Sequence, residues 1–152
     1  MYDNWLANAA VIVSTLTAVT LSVLIHYEGL WFASRNLPRI GGTQHIKVLY
    51  AILSVLALHI IEIWMFGIVL WLLLQWPASG HIVSVVPGSG ALGLLDAVYF
   101  SAMTYSTVGF GDVLPVGPIR LLAGTESLIG LLLIGWSASF TYLEMERFWR
   151  VR

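Results

Sequence analysis

Three long apolar segments, separated by short polar or glycine-rich breaks, set the outline of the chain. The first covers residues 6–32 and the second 46–76, which stops at Pro77. A helix rises about 1.5 Å per residue and a bilayer core is about 30 Å thick, so either segment is long enough to cross. The second exceeds that need and is expected to tilt or project. Ser14, Thr15, Thr17, Thr20 and Ser22 are scattered through the first, where hydroxyls can bond back to helix carbonyls. Between the two, residues 33–45 gather Arg35, Pro38, Arg39 and the Gly41-Gly42 pair, with Lys47 just beyond. Breakers and charge together predict a turn outside the membrane. The third segment begins near Pro118, a residue suited to the first turn of a helix, and runs to about Tyr142.

A fourth apolar stretch, 94–106, is too short to cross. It follows a glycine- and proline-punctuated loop, 77–93, that holds no Lys or Arg. Asp96 falls in its first turn, where the positive end of a helix dipole favours a carboxylate. After it comes Thr107-Val108-Gly109-Phe110-Gly111-Asp112. Two glycines one residue apart interrupt very hydrophobic sequence. Backbone that is not helical is tolerated at such depth only where protein buries it or where it lines an aqueous path. Gly109 and Gly111 can take φ values that other residues avoid, which allows successive carbonyls to point one way. A row of carbonyls facing one axis can replace the water around a dehydrated cation.

Composition agrees with a membrane chain. Hydrophobic residues make up 59%, charged residues 10%, and the mean hydropathy is +0.87. Seven Trp and six Tyr suit interfacial belts. A net charge of −1 offers nothing to a nucleic acid. The absence of cysteine removes disulfides and thiolate metal sites. The first ten residues lack a basic stretch and a cleavage site, so the first apolar segment is expected to be retained.

The 107–112 hexapeptide resembles the selectivity filter of the potassium-channel pore family, usually written TVGYG. The likeness extends over roughly 94–142. Tyr99-Phe100 stands where an aromatic pair opens the pore helix, and Thr104 and Ser106 where hydroxyls precede the filter. Pro115 follows Asp112 by three residues, and an apolar helix follows in turn. The chain is similar to the bacterial two-span, pore-loop type with one extra N-terminal span.

That resemblance implies an all-α membrane protein with three transmembrane helices per chain, a short pore helix and a filter loop, assembled as a homotetramer around one pore. It implies a passive conductor of monovalent cations rather than an enzyme, with no cofactor and with K+ as the permeant ion. Thr107, Val108, Gly109, Phe110 and Gly111 would form the filter, with potassium held at the first four, and Asp112 would stand at its outer mouth. Thr104, Ser106 and Glu126 would support pore helix and filter, Glu126 by accepting from Ser101 or Thr104. Gly130 falls close to the family's hinge glycine, and a hinge or a close helix contact would each explain it. Gly124 and Gly135 read as packing glycines.

Two departures stand out. Phe110 replaces the commoner tyrosine and removes a hydroxyl that braces the filter in many relatives. Potassium selectivity is the main expectation, with a weakly selective sodium/potassium channel as the alternative. Met103 stands where one bacterial subgroup has a carboxylate that pairs with the aspartate after the filter. Asp112 therefore needs another partner, Arg120 or water.

Charge sets the orientation. Arg35, Arg39, Lys47, Arg147, Arg150 and Arg152 lie in the first loop or the tail, so both are expected to be cytoplasmic. The N-terminus and the 77–93 loop are then outside, in a plasma or bacterial inner membrane. The expected organisation is an N-terminal helix and cytoplasmic loop over 1–45, an ion channel domain over 46–142 and a cytoplasmic tail over 143–152. No span carries arginine at every third position, so voltage sensing by mobile charges is not expected.

Ionisable groups within spans are costly and suggest function. His26 with Glu28, and His59 with Glu62, are candidates for modulation by pH or by a bound metal. His59 and Glu62, three apart, share a helix face, whereas His26 and Glu28 point in different directions. Interhelical hydrogen bonding that fixes register is the structural alternative. Two further functional readings remain open: a membrane metalloprotein using these four residues, and a silent subunit of other channels.

Overall fold

A computed structural model describes residues 4–85 and 93–149. The chain is an all-α membrane protein, with three helices long and apolar enough to span a bilayer. Helix α1 (Trp5–Asn36) starts on Asn4, whose side chain accepts from the Ala7 N–H at 3.3 Å. Thr15, Thr17 and Thr20 bond back to the carbonyls of Val11, Val13 and Leu16 at 2.7–2.8 Å, so these hydroxyls need no water. The buried positions, Ala7, Val11, Thr15, Ala18, Ser22, His26, Leu30 and Ala33, recur every three or four residues. Most are small, which lets the neighbouring helices lie close. A single stripe is buried, so the first span packs along its whole length against the rest of the chain.

A 3-10 turn, Leu37–Arg39, leads into α2 (Gln44–Leu74). At Gly67, α2 comes close to the backbone of the next helix, α3 (Leu94–Tyr105). A Cβ there would lie 2.8 Å from the Val98 Cα. On the same contact Ser101 Oγ donates to the Ile63 carbonyl at 2.8 Å. Asp96 accepts from the Gly93 N–H at 2.8 Å, closing the first turn of α3.

The last helix, α4 (Arg120–Trp149), starts later and runs further than the sequence suggests. Pro118 belongs to the turn before it, where the Arg120 N–H donates to the Gly117 carbonyl at 3.2 Å. Beyond Tyr142 the polar residues Glu144, Glu146 and Arg147 are good helix formers, so loss of hydrophobicity does not end the helix. Arg150 and Arg152 lie outside the described residues.

The sequence reading also treats 77–93 as loop, whereas its first part pairs with residues after the filter. Strands β1 (His81–Ser84) and β2 (Val113–Val116) form an antiparallel ribbon, with His81 opposite Val116 and Ser84 opposite Val113. Pro115 is tolerated because both strands of a ribbon are edges. At its base Gly80 (φ +122°) lies so close to the Val116 carbonyl that a Cβ would overlap it. The Ile119 N–H donates to the Ser79 carbonyl at 3.0 Å, tying the start of α4 to the end of α2. The ribbon thus anchors the far end of the filter segment.

Candidate functional site

The filter segment leaves α3 through a tight turn. The Thr107 N–H donates to the Thr104 carbonyl at 3.0 Å, and the Gly109 N–H to the Met103 carbonyl at 3.1 Å. Ser106 Oγ bonds back to Ala102 at 2.6 Å, so this hydroxyl serves its own helix. Thr107, Gly109 and Gly111 have φ of +58°, +51° and +76°, and the residues between them do not share the positive sign. Handedness therefore alternates along the segment. Alternation turns successive peptide planes in opposite senses, the pattern that allows neighbouring carbonyls to share one side. For Thr107, which carries a Cβ, the left-handed conformation costs about 1–2 kcal/mol. The surroundings must hold that strain, and the two turn bonds do so. Residues 107–111 are exposed on the isolated chain, and nothing lies within 4 Å of where a Cβ would sit on Gly109 or Gly111. Phe110 is 68% exposed.

Asp112 is held by Tyr99, not by Arg120. The Tyr99 hydroxyl donates to Asp112 Oδ2 at 2.8 Å, and this bond pushes the phenol pKa above its usual value. The backbone of Asp112 is fixed as well, since its carbonyl accepts from the Val85 N–H at 2.8 Å. Tyr99 is legible in the sequence as half of the aromatic pair, yet its polar role depends on a loop geometry that spacing does not reveal.

Behind the pore helix Glu126 is fully buried and accepts from Ser101, one of the two hydroxyls expected. Thr104 is half-buried, and its carbonyl holds the turn into the filter. Gly130 packs against the end of α3, where a Cβ would overlap the Tyr105 carbonyl oxygen. The reading of Gly124 and Gly135 as packing glycines is not met among the described residues of one chain, where no neighbouring element comes within 4 Å of where a Cβ would sit on either.

Below the filter, four helices contribute to one buried polar cluster. His26 Nδ1 of α1 is 2.8 Å from Glu62 Oε1 of α2. Tyr105, the last residue of α3, donates its hydroxyl proton to Glu62 Oε2. His59 Nδ1 lies 2.9 Å from the Tyr105 oxygen and 3.3 Å from Glu62 Oε2. On the other side of His26, Nε2 is 3.1 Å from Ser137 Oγ of α4. An ionised carboxylate only accepts, so His26 offers it Nδ1–H and Ser137 then donates to Nε2. An unpaired carboxylate at this depth would cost several kcal/mol, and these donors offset that cost. Glu28 is exposed and takes no part in the cluster, which removes it from the four-residue group inferred from the sequence. Tyr105 and Ser137 join instead. Neither is singled out by sequence, because only the fold brings residues 43 and 111 positions apart into contact.

Comparison with known proteins bears on the same region. A family model described as "Ion channel" matches residues 48–145. Protein LctB of Geobacillus stearothermophilus is 34% identical over 98 residues, covering 51% of this chain and 73% of that protein. Protein LctB of Bacillus caldotenax is 36% identical over 84 residues, 42% of this chain and 63% of that protein. The inward rectifier potassium channel Kirbac3.1 of Paramagnetospirillum magnetotacticum is 34% identical over 76 residues, 49% of this chain but 24% of that protein. No solved structure matches the chain at a significant level. A short pore helix, a filter loop of alternating handedness and a family match that spans both lead to one assignment: the chain belongs to the ion channel family of pore-loop membrane proteins.

Proposed function

We propose that four copies of this chain surround one axis and conduct K+ passively and selectively across a cell membrane. The observation that carries this reading is the alternating backbone at Thr107, Gly109 and Gly111, exposed on the isolated chain and so available to line a shared path. One such segment cannot enclose an ion, whereas four around an axis make stacked rings of oxygens. Ions enter from the Asp112 end, where the carboxylate raises local cation concentration, and bind at the Thr107 hydroxyl and the carbonyls of residues 107–110. Thr104 and Glu126 brace this segment from the pore-helix side, and Ser106 closes the last turn of the pore helix itself. The chemistry needs no cofactor and no covalent step.

The channel unit in this reading is 46–142, with 1–45 as an added helix and loop and 143–152 as a cytoplasmic tail. The orientation puts the N-terminus outside and the tail inside. Ser34 Oγ donates to Glu144 at 2.7 Å, which brings the arginine-bearing loop beside the end of α4 and supports one membrane side for both basic groups.

The test is the reversal potential of purified protein in planar bilayers with K+ on one side and Na+ on the other. A value close to the K+ equilibrium potential is expected. Gly109→Ala puts a Cβ at φ +51° and should reduce the current at least about tenfold, since the left-handed conformation costs about 1–2 kcal/mol per residue. A value near zero with robust current overturns selectivity and points to Phe110. A silent bilayer at every pH overturns conduction by this chain alone.

A further inference from the structure

The buried cluster beneath the filter has a use beyond hydrogen bonding, independent of conduction. One ring nitrogen of His26, one of His59 and a carboxylate oxygen of Glu62 lie within 4.8 Å of one another, so side-chain movement of about an ångström lets one ion reach all three. Bonds of about 2.0–2.1 Å in a tetrahedral zinc site put ligand atoms roughly 3.3 Å apart. His26 Nδ1 is 2.8 Å from Glu62 Oε1 and His59 Nδ1 is 3.3 Å from Oε2, so each imidazole already lies at about that separation from one oxygen of the carboxylate.

We propose that His26, His59 and Glu62 form a binding site for one zinc-like divalent transition-metal ion, with the Tyr105 hydroxyl beside the fourth position. Two imidazoles and a carboxylate suit zinc and its neighbours, whereas Mg2+ and Ca2+ favour all-oxygen shells. Ligands drawn from facing helices are a common way to build a metal site inside a bundle. Ser137 supports the assignment. To ligate through Nδ1, His26 must carry its proton on Nε2, and Ser137 Oγ at 3.1 Å can accept that proton as readily as it donates in the ion-free form. Access is present too. A cavity of about 420 Å³ between α2 and α4, lined by Ile52, Val55, His59, Ser137 and Thr141 among others, reaches the cluster beside His59, whose side chain is 15% exposed. A bound ion would join the first span to α2 and fix the Tyr105 side chain two residues ahead of Thr107.

The whole chain in lipid nanodiscs, stripped by chelator and reloaded with Co2+ or Zn2+, provides the test. One ion per chain should survive desalting, and Co2+ should give the visible spectrum of a four-coordinate site. Ser137→Ala should weaken Co2+ binding at least about tenfold, the usual effect of losing a partner behind a ligand. His59→Ala should abolish retention while leaving the His26–Glu62 contact that holds the helices together. Glu28→Gln, at an exposed position, should bind as the unaltered chain does. No retained ion in chain that is folded by circular dichroism, a six-coordinate Co2+ spectrum, or undiminished binding by His59→Ala would each overturn the proposal. Ion retention is read without any current, so a failure here is separate from a failure of the conduction reading.

Discussion

The Tyr105 hydroxyl donates to the Glu62 carboxylate across the contact between pore helix and α2, and Tyr105 is only two residues ahead of Thr107. The carboxylate buried in the second span is therefore partly satisfied by the residue that leads into the filter. His26 of the added first span shares the same carboxylate. Three helices thus depend on one side chain.

Tyr105→Phe keeps the ring and removes this donor. A buried acceptor that loses a partner costs about 1–3 kcal/mol, so thermal unfolding in detergent should shift to lower temperature by a corresponding amount. Glu62→Gln in the same background should recover part of the loss, because the uncharged amide needs fewer donors. An unchanged unfolding temperature in Tyr105→Phe would show that the bond contributes nothing.

Gly130 separates two physical roles. A Cβ there would overlap the Tyr105 carbonyl oxygen, and overpacking of this kind costs about 1–3 kcal/mol. Gly130→Ala should lower thermal stability, whereas Gly135→Ala, with open space at that position in one chain, should matter less to the fold of a single chain. A hinge glycine would behave otherwise: Gly130→Ala would keep its stability and change only the open fraction in bilayer recordings.

Much of this architecture is legible in the sequence, for a physical reason. Three stretches of nearly unbroken hydrophobicity have few structures available in a bilayer, so helices over Trp5–Asn36, Gln44–Leu74 and Arg120–Trp149 follow closely from composition. The two filter glycines are equally visible, because glycine is the residue that takes positive φ without cost, whereas Thr107, at φ +58°, gives no such signal in the sequence. The β1–β2 ribbon is not, since two runs of four residues, one containing Pro115, carry too little pattern to announce a strand. Local spacing identifies His59 with Glu62, three apart on a face. It cannot select His26 over Glu28, because that choice depends on which stripe of α1 is buried, and small residues along the first span do not mark a single face.

Ser101 carries one hydroxyl proton yet meets two acceptors, the Ile63 carbonyl and Glu126. Ser101→Ala should leave both short at the back of the pore helix and cost about 1–3 kcal/mol in unfolding free energy. Glu126→Gln should be much milder. Its amide N–H can donate to Ser101 Oγ while Ser101 keeps Ile63, and the other carboxylate oxygen has no partner to lose. Equal losses in the two variants, measured by thermal unfolding, would overturn this account of the contact.

The Tyr99–Asp112 bond at the outer mouth gives a prediction in pH. The Asp112 carboxylate accepts the phenolic proton and thereby raises the Tyr99 pKa above the ordinary value of 10.0. A group whose folded pKa is raised contributes its stabilisation fully below the unfolded pKa and loses it as pH rises through the folded value. The bond is therefore intact at neutral pH, and ionisation of Tyr99 removes it in alkali, above the range in which an ordinary tyrosine ionises. Alkaline absorbance titration should show one tyrosinate forming later in the unaltered chain than in Asp112→Asn, where the amide no longer holds the proton by charge. Tyr99→Phe should remove that late step and leave the other tyrosines unchanged. Because the ring is exposed, the effect on global stability should be small, and the larger consequence should fall on the filter, whose outer end loses a tether from the middle of the pore helix. Superimposable titrations of the unaltered chain and Asp112→Asn would show that the hydroxyl and carboxylate do not share a proton in solution.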